Sequence, residues 1–414
     1  MKPELLLPGG NVEKIDYAIK YGADAVYFGL EDYSLRQMRK GEIITIENLN
    51  EVLDLIHKNQ KKGYVTLNIF AFDDDIKKLE ADIEKIASCQ PDAFIISDFG
   101  ILNTVKKYTK NIDIHISTQT NTLNSEACKF YRDLGASRVI LARELSLKQI
   151  ETIRKNVPDV ELEMFIHGAQ CMSFSGRCLL SDFMTKGERR ANHGECAQPC
   201  RWSYKLLEET RPNEYFEIVQ DNRGSHILST KDLALIDYIQ NIIDMNIDSL
   251  KIEGRTKSLY YVSAIARAYR CQIDRCLNEN KIELNQNLKE ELAKIGNRGY
   301  TTGFVVPEDE TANGYSYDIS KGLAGADFLF EILDIKDNQI QVKIKNKVNL
   351  NQQLELILPD KNITVSVTKI INSKNEVSDV ANTNDEVWFE FDKTISDKNL
   401  KYALGRTIGV KNVC

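Results

Sequence analysis

Short apolar runs rich in β-branched and aromatic residues alternate with longer segments of helical period along most of the chain. This alternation is typical of repeated βα units around a parallel sheet. Eight such units within about 270 residues match a closed (β/α)8 barrel of the TIM type, whereas an open doubly wound sheet gives no reason for eight evenly spaced units. We therefore predict an α/β fold with barrel strands at Glu4–Leu7, Ala25–Phe28, Tyr64–Ile69, Ala93–Ser97, Ile112–Ser117, Arg138–Ala142, Leu162–Ile166 and Ser249–Ile252.

The connection between the seventh and eighth predicted strands is far longer than the others and runs from His167 to Asn246. Its first part, residues 168–228, contains four cysteines and then a polar segment, Glu208–Asn222. A helical pattern from Ser229 to Met245 follows and predicts the crossover helix. Because the loops that follow barrel strands emerge at the carboxyl ends of those strands, we expect this insertion at the catalytic face.

The pattern changes beyond residue 295, where the predicted barrel domain 1–295 ends. Residues 296–325 are rich in Gly, Thr, Asn and Asp and are predicted to be a linker. In the remaining segment, 326–414, apolar and polar residues alternate between turn signals, which favours a small antiparallel β-barrel. Its predicted strands are Phe328–Ile335, Ile340–Ile344, Leu354–Leu358, Ile363–Ile371, Val387–Phe391 and Leu400–Ile408.

The composition indicates a globular protein of a reducing compartment. No apolar stretch is long enough to cross a membrane, and the amino end lacks the features of a signal peptide, so we expect a cytoplasmic protein without a membrane partner. Thiols stay reduced in the cytoplasm, and clustered members of the nine cysteines therefore indicate a metal site rather than disulfides. The formal net charge of -7 does not decide the partner, because a local basic face can coexist with an acidic whole.

Four cysteines fall within one short segment: Cys171 and Cys178 with six residues between them, then Cys196 and Cys200 with three. Four thiolates are what an iron-sulfur cluster or a structural zinc ion requires. The six-residue gap suits zinc poorly, and Ser203 stands where a radical S-adenosylmethionine motif would need its third cysteine, so an iron-sulfur cluster is favoured. We interpret the other cysteines as small apolar core residues: Cys89, Cys128, Cys271, Cys276 and Cys414.

Polar residues follow several predicted strands and should meet at one face of the barrel. Arg143 and Arg255 carry the planar fork that binds carboxylates, so they predict a di-anionic small substrate. The alternative is that each forms a structural ion pair with its neighbour, Glu144 or Glu253. His167 is either an acid/base group or a hydrogen-bonded residue that closes the seventh strand. Glu253 is the second candidate catalytic group, and Asn68 and Gln119 are candidate substrate-binding residues.

Basic and aromatic residues are interleaved in the insertion and in the last barrel helix. Such a rim can contact phosphates and stack on bases, although solvated surface charge is the simpler interpretation. The basic members are Lys186, Arg189, Arg190, Arg201, Lys257, Arg267 and Arg270, and the aromatic members are Phe183, Trp202, Tyr260 and Tyr261.

The segment EMFIHGAQCMSFSGRCLLS closely resembles the signature of the collagenase-like peptidase family U32, E-x-F-x-x-G-A-x-C followed by G-x-C-x-x-S. Further matches at PELLLPGG, YGADAVYFG, RVILARELSL, STKDL, SLKIEGRTKSLYY and NRGYTTGF extend this resemblance over essentially the whole chain. The residues that match the signature are Glu163, Phe165, Gly168, Cys171, Gly176, Cys178 and Ser181.

The resemblance implies an oxygen-independent hydroxylase that carries a 4Fe-4S cluster and acts on RNA or on a quinone precursor. The sequence is most similar to the branch that converts the wobble uridine of tRNA to 5-hydroxyuridine with prephenate as hydroxyl donor. The anticodon loop of tRNA, a small di-carboxylate and a paralogous or electron-supplying helper protein are the partners that this branch implies. Some branches have their fourth cysteine after the K-D-L motif, where this chain has Ala234, so Cys200 is the fourth ligand implied here.

Three other functions stay open at this point. The same scaffold could hydroxylate another RNA or a quinone precursor, the protein could be a peptidase as the family name says, or it could be a zinc-stabilised RNA-binding module without catalysis. The peptidase interpretation finds no support in motifs, because the chain contains neither H-E-x-x-H nor G-x-S-x-G.

Overall fold

The computed structural model describes residues 2–34, 43–109, 111–171, 180–186, 188, 196–201, 220–221, 224–225, 231–279, 286–306 and 325–409. The strands of the first part are β1 (Glu4–Gly9), β2 (Ala25–Gly29), β3 (Lys62–Leu67), β4 (Ala93–Ile96), β5 (Asp113–Ile116), β6 (Arg138–Ile140), β7 (Glu161–Ala169), β8 (Gln220–Asp221), β9 (Gly224–Ser225), β10 (Asp232–Ala234), β11 (Ser249–Ile252) and β12 (Tyr300–Thr301). Strands β1 to β7 pair in sequence as parallel neighbours, and β11 pairs with both β7 and β1. The predicted (β/α)8 barrel is confirmed, with β11 as its eighth strand.

Helices alternate with the barrel strands and bury one apolar stripe each. Several begin at a residue that caps the first turn: the Asn11 side chain accepts from the backbone N–H of Lys14, and Ser146 and Gln149 cap each other reciprocally. No helix in the described ranges is long and apolar enough to span a membrane. The helices are α1 (Val12–Lys20), α2 (Leu49–Lys58), α3 (Asp73–Ser88), α4 (Phe99–Tyr108), α5 (Ser125–Asp133), α6 (Leu147–Asn156), α7 (Leu180–Met184), α8 (Ile239–Asp244), α9 (Leu259–Glu279) and α10 (Gln286–Ala293).

The end of β7 differs from the sequence prediction. The strand continues beyond Ile166 to Ala169, because its last three residues pair antiparallel with β10. The predicted crossover helix from Ser229 to Met245 is accordingly wrong in its first half: β10 occupies Asp232–Ala234, and α8 begins only at Ile239. Periodicity does not reveal a short strand whose partner lies more than sixty residues earlier in the chain, since the pairing is set by tertiary contact.

The first part of the predicted linker is packed against the barrel. Strand β12 pairs with β10 in parallel, and Arg298 Nε donates to Asp232 Oδ1 at 3.0 Å. Further along, the Leu147 N–H donates to the Val305 carbonyl at 2.9 Å, which ties this segment to the start of α6. Residues 296–306 therefore extend the carboxyl-end face of the barrel beside β7.

The second part of the chain forms the predicted antiparallel barrel. Six of its strands, β16, β21, β13, β14, β20 and β17, close through the pairing of β16 with β17, around a core of apolar side chains such as Phe330, Leu356 and Phe389. The last strand begins later than predicted, because Leu400–Tyr402 forms a 3-10 turn. The strands are β13 (Phe328–Lys336), β14 (Gln339–Ile344), β15 (Val348–Asn349), β16 (Gln353–Ile357), β17 (Asn362–Ile371), β18 (Val377–Ser378), β19 (Val380–Ala381), β20 (Glu386–Phe391) and β21 (Leu404–Thr407).

The small barrel docks on the helices of the large one through buried polar contacts. The hydroxyl of Tyr21, the residue after α1, lies 2.8 Å from the carbonyl oxygens of both Ile357 and Tyr402. Arg406 of β21 has no exposed surface and binds both carboxylate oxygens of Glu291 on α10, at 2.7 and 2.8 Å. Its Nε also donates to Glu355 at 2.7 Å. The two barrels therefore share an interface whose charges are matched within it.

Candidate functional site

A belt of polar side chains lies at the carboxyl ends of the barrel strands. Arg255, which follows β11, is only 5% exposed and donates through one guanidinium nitrogen to the hydroxyls of Ser34 and Thr66. Farther round the belt, Asn68 donates to the Gln119 side chain at 3.0 Å, and this amide oxygen also accepts from Ser97 at 2.8 Å. The structure thus brings Arg255, Asn68 and Gln119 to one face of the barrel.

Arg143 follows β6, the neighbour of β5 in the barrel. Its guanidinium carbon is 4.1 Å from the centre of the Phe165 ring, and its Nη1 donates to the Ala169 carbonyl at 2.8 Å. These contacts are with an aromatic face and a backbone oxygen rather than with the adjacent Glu144. A cleft beside it is open to solvent and is lined by Thr118, Asn121, Arg143, Glu144, Gln170, Cys171 and Phe304.

His167 is buried at the end of β7 among three tyrosine rings. Its ring centroid is 5.4 Å from those of Tyr269 and Tyr300 and 6.0 Å from that of Tyr261. The Tyr269 hydroxyl donates to the Ile166 carbonyl at 3.0 Å and lies 3.2 Å from His167 Nδ1, so Nδ1 carries the proton. Burial lowers the pKa of His167 to about 3. His167 is therefore neutral near pH 7 and cannot act as an imidazolium acid, which favours the hydrogen-bonded role over the acid/base role.

Glu253 is buried at the start of the loop after β11. Its Oε2 lies 3.4 Å from the Tyr27 hydroxyl, and its backbone oxygen accepts from the Tyr261 hydroxyl at 3.1 Å. Gly168 passes close to it: a Cβ on this glycine would lie 2.6 Å from the Glu253 carbonyl oxygen, so the G-A step after His167 requires a residue without a side chain. The Tyr27 hydroxyl also donates to the Ile252 carbonyl at 3.0 Å, so its contact with the Glu253 carboxylate is the weaker of the two.

The cysteine-rich segment is described in part. Cys171 is exposed just after the end of β7, Cys196 is exposed and Cys200 is half-buried, and none of the three is in a disulfide. Gln198 N–H donates to Cys196 Sγ at 3.4 Å, a bond that stabilises a thiolate ligand. No three His, Cys, Asp or Glu side chains within the described ranges are grouped closely enough to hold a metal ion. Cysteine thiolates are the usual ligands of iron-sulfur clusters, so the residue types fit such a cluster. Because Cys178 lies outside the described residues, the four-cysteine ligand set stays a prediction.

The remaining cysteines differ in their surroundings. Cys128 and Cys276 are buried, as expected of small core residues, whereas Cys89 is half-buried and Cys271 is exposed on α9. The interpretation of Cys271 as a core residue is therefore wrong, because it projects from the outer side of its helix. Cys414 lies outside the described residues.

Two members of the predicted basic rim are far from the mouth. Arg267 donates to the Leu358 carbonyl at 2.8 Å in the interface with the small barrel, and Arg270 binds Asp24, which precedes β2 at the opposite end of the barrel. Both belong to α9, which runs away from the mouth by about 1.5 Å per residue, so a position two turns along the helix has left the rim. Of the others, Phe183, Lys186, Lys257, Tyr260 and Tyr261 are described, and the two tyrosines are buried, so they do not belong to an exposed rim. Arg189, Arg190, Trp202 and the Arg201 side chain lie outside the described residues.

A network of buried charges inside the barrel escaped the sequence interpretation. Glu163 has no exposed surface, and its carboxylate accepts from Lys251 Nζ at 2.7 Å and from Arg138 at 3.2 Å. Arg138 also binds Glu4 at 2.6 Å. Burial lowers the pKa of Lys251, while Glu163 opposes this shift. The signal was present in the sequence as charged residues inside otherwise apolar strands, at Glu163 and Lys251.

The fold and site define a two-barrel α/β protein with a polar mouth, a cysteine-bearing insertion after the seventh strand and a small β-barrel docked on its helices. Models of peptidase family U32 match residues 10–314, and of the U32 C-terminal domain residues 325–400. The chain belongs to peptidase family U32, as its motifs indicated.

Three curated relatives show how varied the names in this family are. The tRNA hydroxylation protein P of Haemophilus influenzae is 36% identical over 97% of this chain and 95% of the relative. The Collagenase of Porphyromonas gingivalis is 34% identical over 73% of each chain. The 23S rRNA 5-hydroxycytidine C2501 synthase of Escherichia coli is 33% identical over 78% of this chain and 46% of the relative.

Proposed function

We propose that this protein hydroxylates RNA, and that its substrate is the wobble uridine of tRNA, which it converts to 5-hydroxyuridine. The observation that carries the proposal is the similarity, across nearly the full length of both chains, to a relative named for tRNA hydroxylation. The more distant relative is named for 5-hydroxycytidine, which places its hydroxyl on the same carbon of a pyrimidine ring. One scaffold that hydroxylates pyrimidine C5 accounts for both names.

The proposal includes a 4Fe-4S cluster held by Cys171, Cys178, Cys196 and Cys200. Cys171 continues directly from β7 at the mouth, so a group bound there would adjoin the polar belt. When bound, such a cluster supplies one-electron chemistry. Small residues in the cysteine segment, such as Ser173, Gly176 and Gly194, leave room for backbone N–H groups to approach the sulfurs.

Arg255 is the residue that we propose binds one carboxylate of prephenate, the proposed hydroxyl donor. Its guanidinium is buried and oriented by Ser34 and Thr66, so it is held in place before a substrate arrives. Charge-assisted bonds from arginine to a carboxylate are strong, and burial strengthens them further. Arg143 is less suited to this task, because Phe165 and the Ala169 carbonyl already engage it.

Glu253 and His167 have different proposed roles. Glu253 is the candidate that accepts a proton at the mouth, since it is a carboxylate beside Tyr27. His167 is a positioning residue: the neutral ring holds Tyr269 and packs on Tyr300, which belongs to the 296–306 segment. Asn68 and Gln119 shape the opposite side of the belt.

The proposal is tested by mass spectrometry of tRNA nucleosides from cells with and without the gene. We expect 5-hydroxyuridine to disappear when the gene is removed and to return with the purified, anaerobically prepared protein, tRNA and prephenate. The Arg255→Lys variant should need more prephenate for the same rate, because lysine keeps the charge but loses the fork. Arg132→Lys, on the outer helix α5, is the matched control.

One observation favours a second candidate, since one relative carries the name Collagenase. A digestion assay with gelatin, run on the same preparation, separates the two functions. Unchanged tRNA nucleosides together with gelatin cleavage would replace the RNA proposal by a peptidase.

A further inference from the structure

The cleft beside Arg143 has a composition unlike that of the Arg255 side of the mouth. One wall carries the exposed aromatic ring of Phe304, and the others carry the amide of Asn121 and the carboxylate of Glu144, with Cys171 at the edge. The cleft is an open depression, so a flat ring can enter it from the solvent side. Nothing in the polar belt that we assign to the carboxylate donor requires this cleft.

We infer that this cleft is the pocket for the nucleobase: Phe304 stacks on the face of one extruded pyrimidine, and Asn121 and Glu144 bind its edge. The inference rests on the proposed function, because it presupposes an RNA substrate. Enzymes that act on a base take it out of its stack into a pocket of this kind, where aromatic and polar groups receive it.

Phe304 is an exposed aromatic residue on a firmly anchored turn. Its ring is 43% exposed, although its neighbours are fixed: Val305 accepts from the Leu147 N–H at 2.9 Å, and Thr302 bonds to the Val306 carbonyl. Gly303 has a φ of +59° and packs on Gln170, so close that a Cβ would lie 2.7 Å from the Gln170 amide nitrogen. A ring held this way at a mouth is a preformed stacking surface, which loses little freedom when a base binds.

Asn121 presents both a hydrogen-bond donor and an acceptor. It sits in the left-handed region, with φ 55° and ψ 51°, at the end of a 3-10 turn, and Thr118 in that turn donates to the Leu141 carbonyl at 3.0 Å. The amide of Asn121 can donate to a carbonyl of a uracil edge, while the Glu144 carboxylate accepts from the adjacent ring N–H. The hydrogen bond from Thr118 to Leu141 anchors this turn and does not involve the Asn121 side chain.

Charge argues against the di-carboxylate as the occupant. Arg143 is the cationic residue that lines the cleft, and its guanidinium already covers Phe165 and donates to Ala169. Glu144 lines the same space and would repel a second anion. An uncharged ring with amide-like edges fits this balance better than a di-anion, and its position next to Cys171 brings the base beside the proposed cluster ligand.

The test measures equilibrium binding of two anticodon stem–loop RNAs, one with uridine at the wobble position and one abasic there, to the intact protein. The wild type should bind the uridine loop about five-fold or more tightly than the abasic loop, the size of one base stack. Phe304→Leu should remove most of this preference while leaving the affinity for the abasic loop unchanged. Phe304→Tyr should keep the preference for the uridine loop, and Asn121→Ala should reduce this preference.

Phe99→Leu is the matched control, because Phe99 is also exposed, at 57%, but lies at the start of α4 outside the cleft. Its preference should equal that of the wild type, and circular dichroism should show that all variants are folded. If Phe304→Leu keeps the full preference for the uridine loop, the inference about the cleft is wrong, although the proposed function stands. The same holds if this variant changes the requirement for prephenate instead of the RNA preference. A wild-type protein that binds neither loop overturns the proposed function with it.

Discussion

The two barrels of this protein are filled in opposite ways. The small barrel has an interior of aliphatic and aromatic side chains, including Phe330, Leu356 and Phe389, each without exposed surface. The large barrel instead buries charges along its axis, with Glu163 and Lys251 in direct contact. A buried charge costs several kcal/mol in desolvation before any partner repays it, so a barrel selected for stability alone has no need of one.

The two barrels also differ in where their buried polar groups lie. In the large barrel they continue from the interior to the mouth, where Arg255 and Gln119 lie. In the small barrel the fully buried guanidinium of Arg406 faces outward into the interface with the large barrel. Concentrations of buried polar groups in a barrel mouth are typical of functional sites, whereas those at an interface set how two units dock.

The largest expected effect concerns the four cysteines of the segment that follows β7. Replacing Cys171, Cys178, Cys196 or Cys200 by Ala should remove most of the iron from the anaerobically purified protein, because each thiolate supplies one anchoring bond. Iron analysis and absorption near 400 nm measure this loss. Cys276→Ala, buried on α9, is the control and should keep its iron. Full iron content in any of the four variants would remove that residue from the ligand set.

The charges inside the large barrel provide the second prediction. Glu163→Gln should lower the free energy of unfolding by about 3–5 kcal/mol, because it leaves Lys251 buried without its carboxylate partner. The double variant Glu163→Met, Lys251→Met should recover much of this loss, since both charges are gone. Urea unfolding of the three proteins measures the difference. If the double variant is as unstable as the single variant, the loss of stability comes from the changed side-chain shape and not from the unpaired charge of Lys251.

The interface between the barrels should respond to acid. Burial by itself raises the pKa of Glu291, but the hydrogen bonds from Arg406 outweigh burial and hold this pKa down to about 2. A depressed carboxyl pKa stabilises the folded state above the unfolded value of about 4.3, and this stabilisation, on the order of 3 kcal/mol, is lost as pH falls towards 2. Calorimetry across this range should show the loss. Glu291→Gln should lack it, whereas Glu290→Gln, one residue earlier on α10, should behave like the wild type.

The smallest expected effect is on the lysines of the small barrel, which we predict help to hold tRNA. Lys345 is paired with Glu331 at 2.8 Å, and Lys336 lies over the Trp388 ring, which leaves Lys343 and Lys347 for phosphates. Removal of the whole barrel would uncover Tyr21 and Glu291, so point variants are the better test. Lys343→Gln, Lys347→Gln should reduce the slope of log affinity against log salt by about 0.9 per lost contact.

The control for this measurement is Lys398→Gln, which removes an exposed lysine from another turn of the same barrel. Its salt dependence should match that of the wild type. Identical slopes for all three proteins would leave the small barrel with a stabilising role alone.

The two barrels and the face that carries the candidate site could be predicted from the amino-acid sequence. Strand segments and their order follow from local periodicity, and polar residues directly after parallel strands must share one face, which is why Arg255, Asn68 and Gln119 could be named. The spacing of Cys171, Cys178, Cys196 and Cys200 identified the metal-binding candidates in the same way. These signals survive because they depend on neighbours in the chain.

The contacts between residues far apart in the chain became known from the folded structure. It extended β7 through its pairing with β10, moved Arg267 into the interface, and placed Phe304 beside Cys171, although these two residues are far apart in sequence. It also showed that His167 is neutral, since its pKa depends on burial by Tyr261, Tyr269 and Tyr300. Periodicity encodes which face of an element is buried, whereas the partner on that face depends on how the whole chain packs.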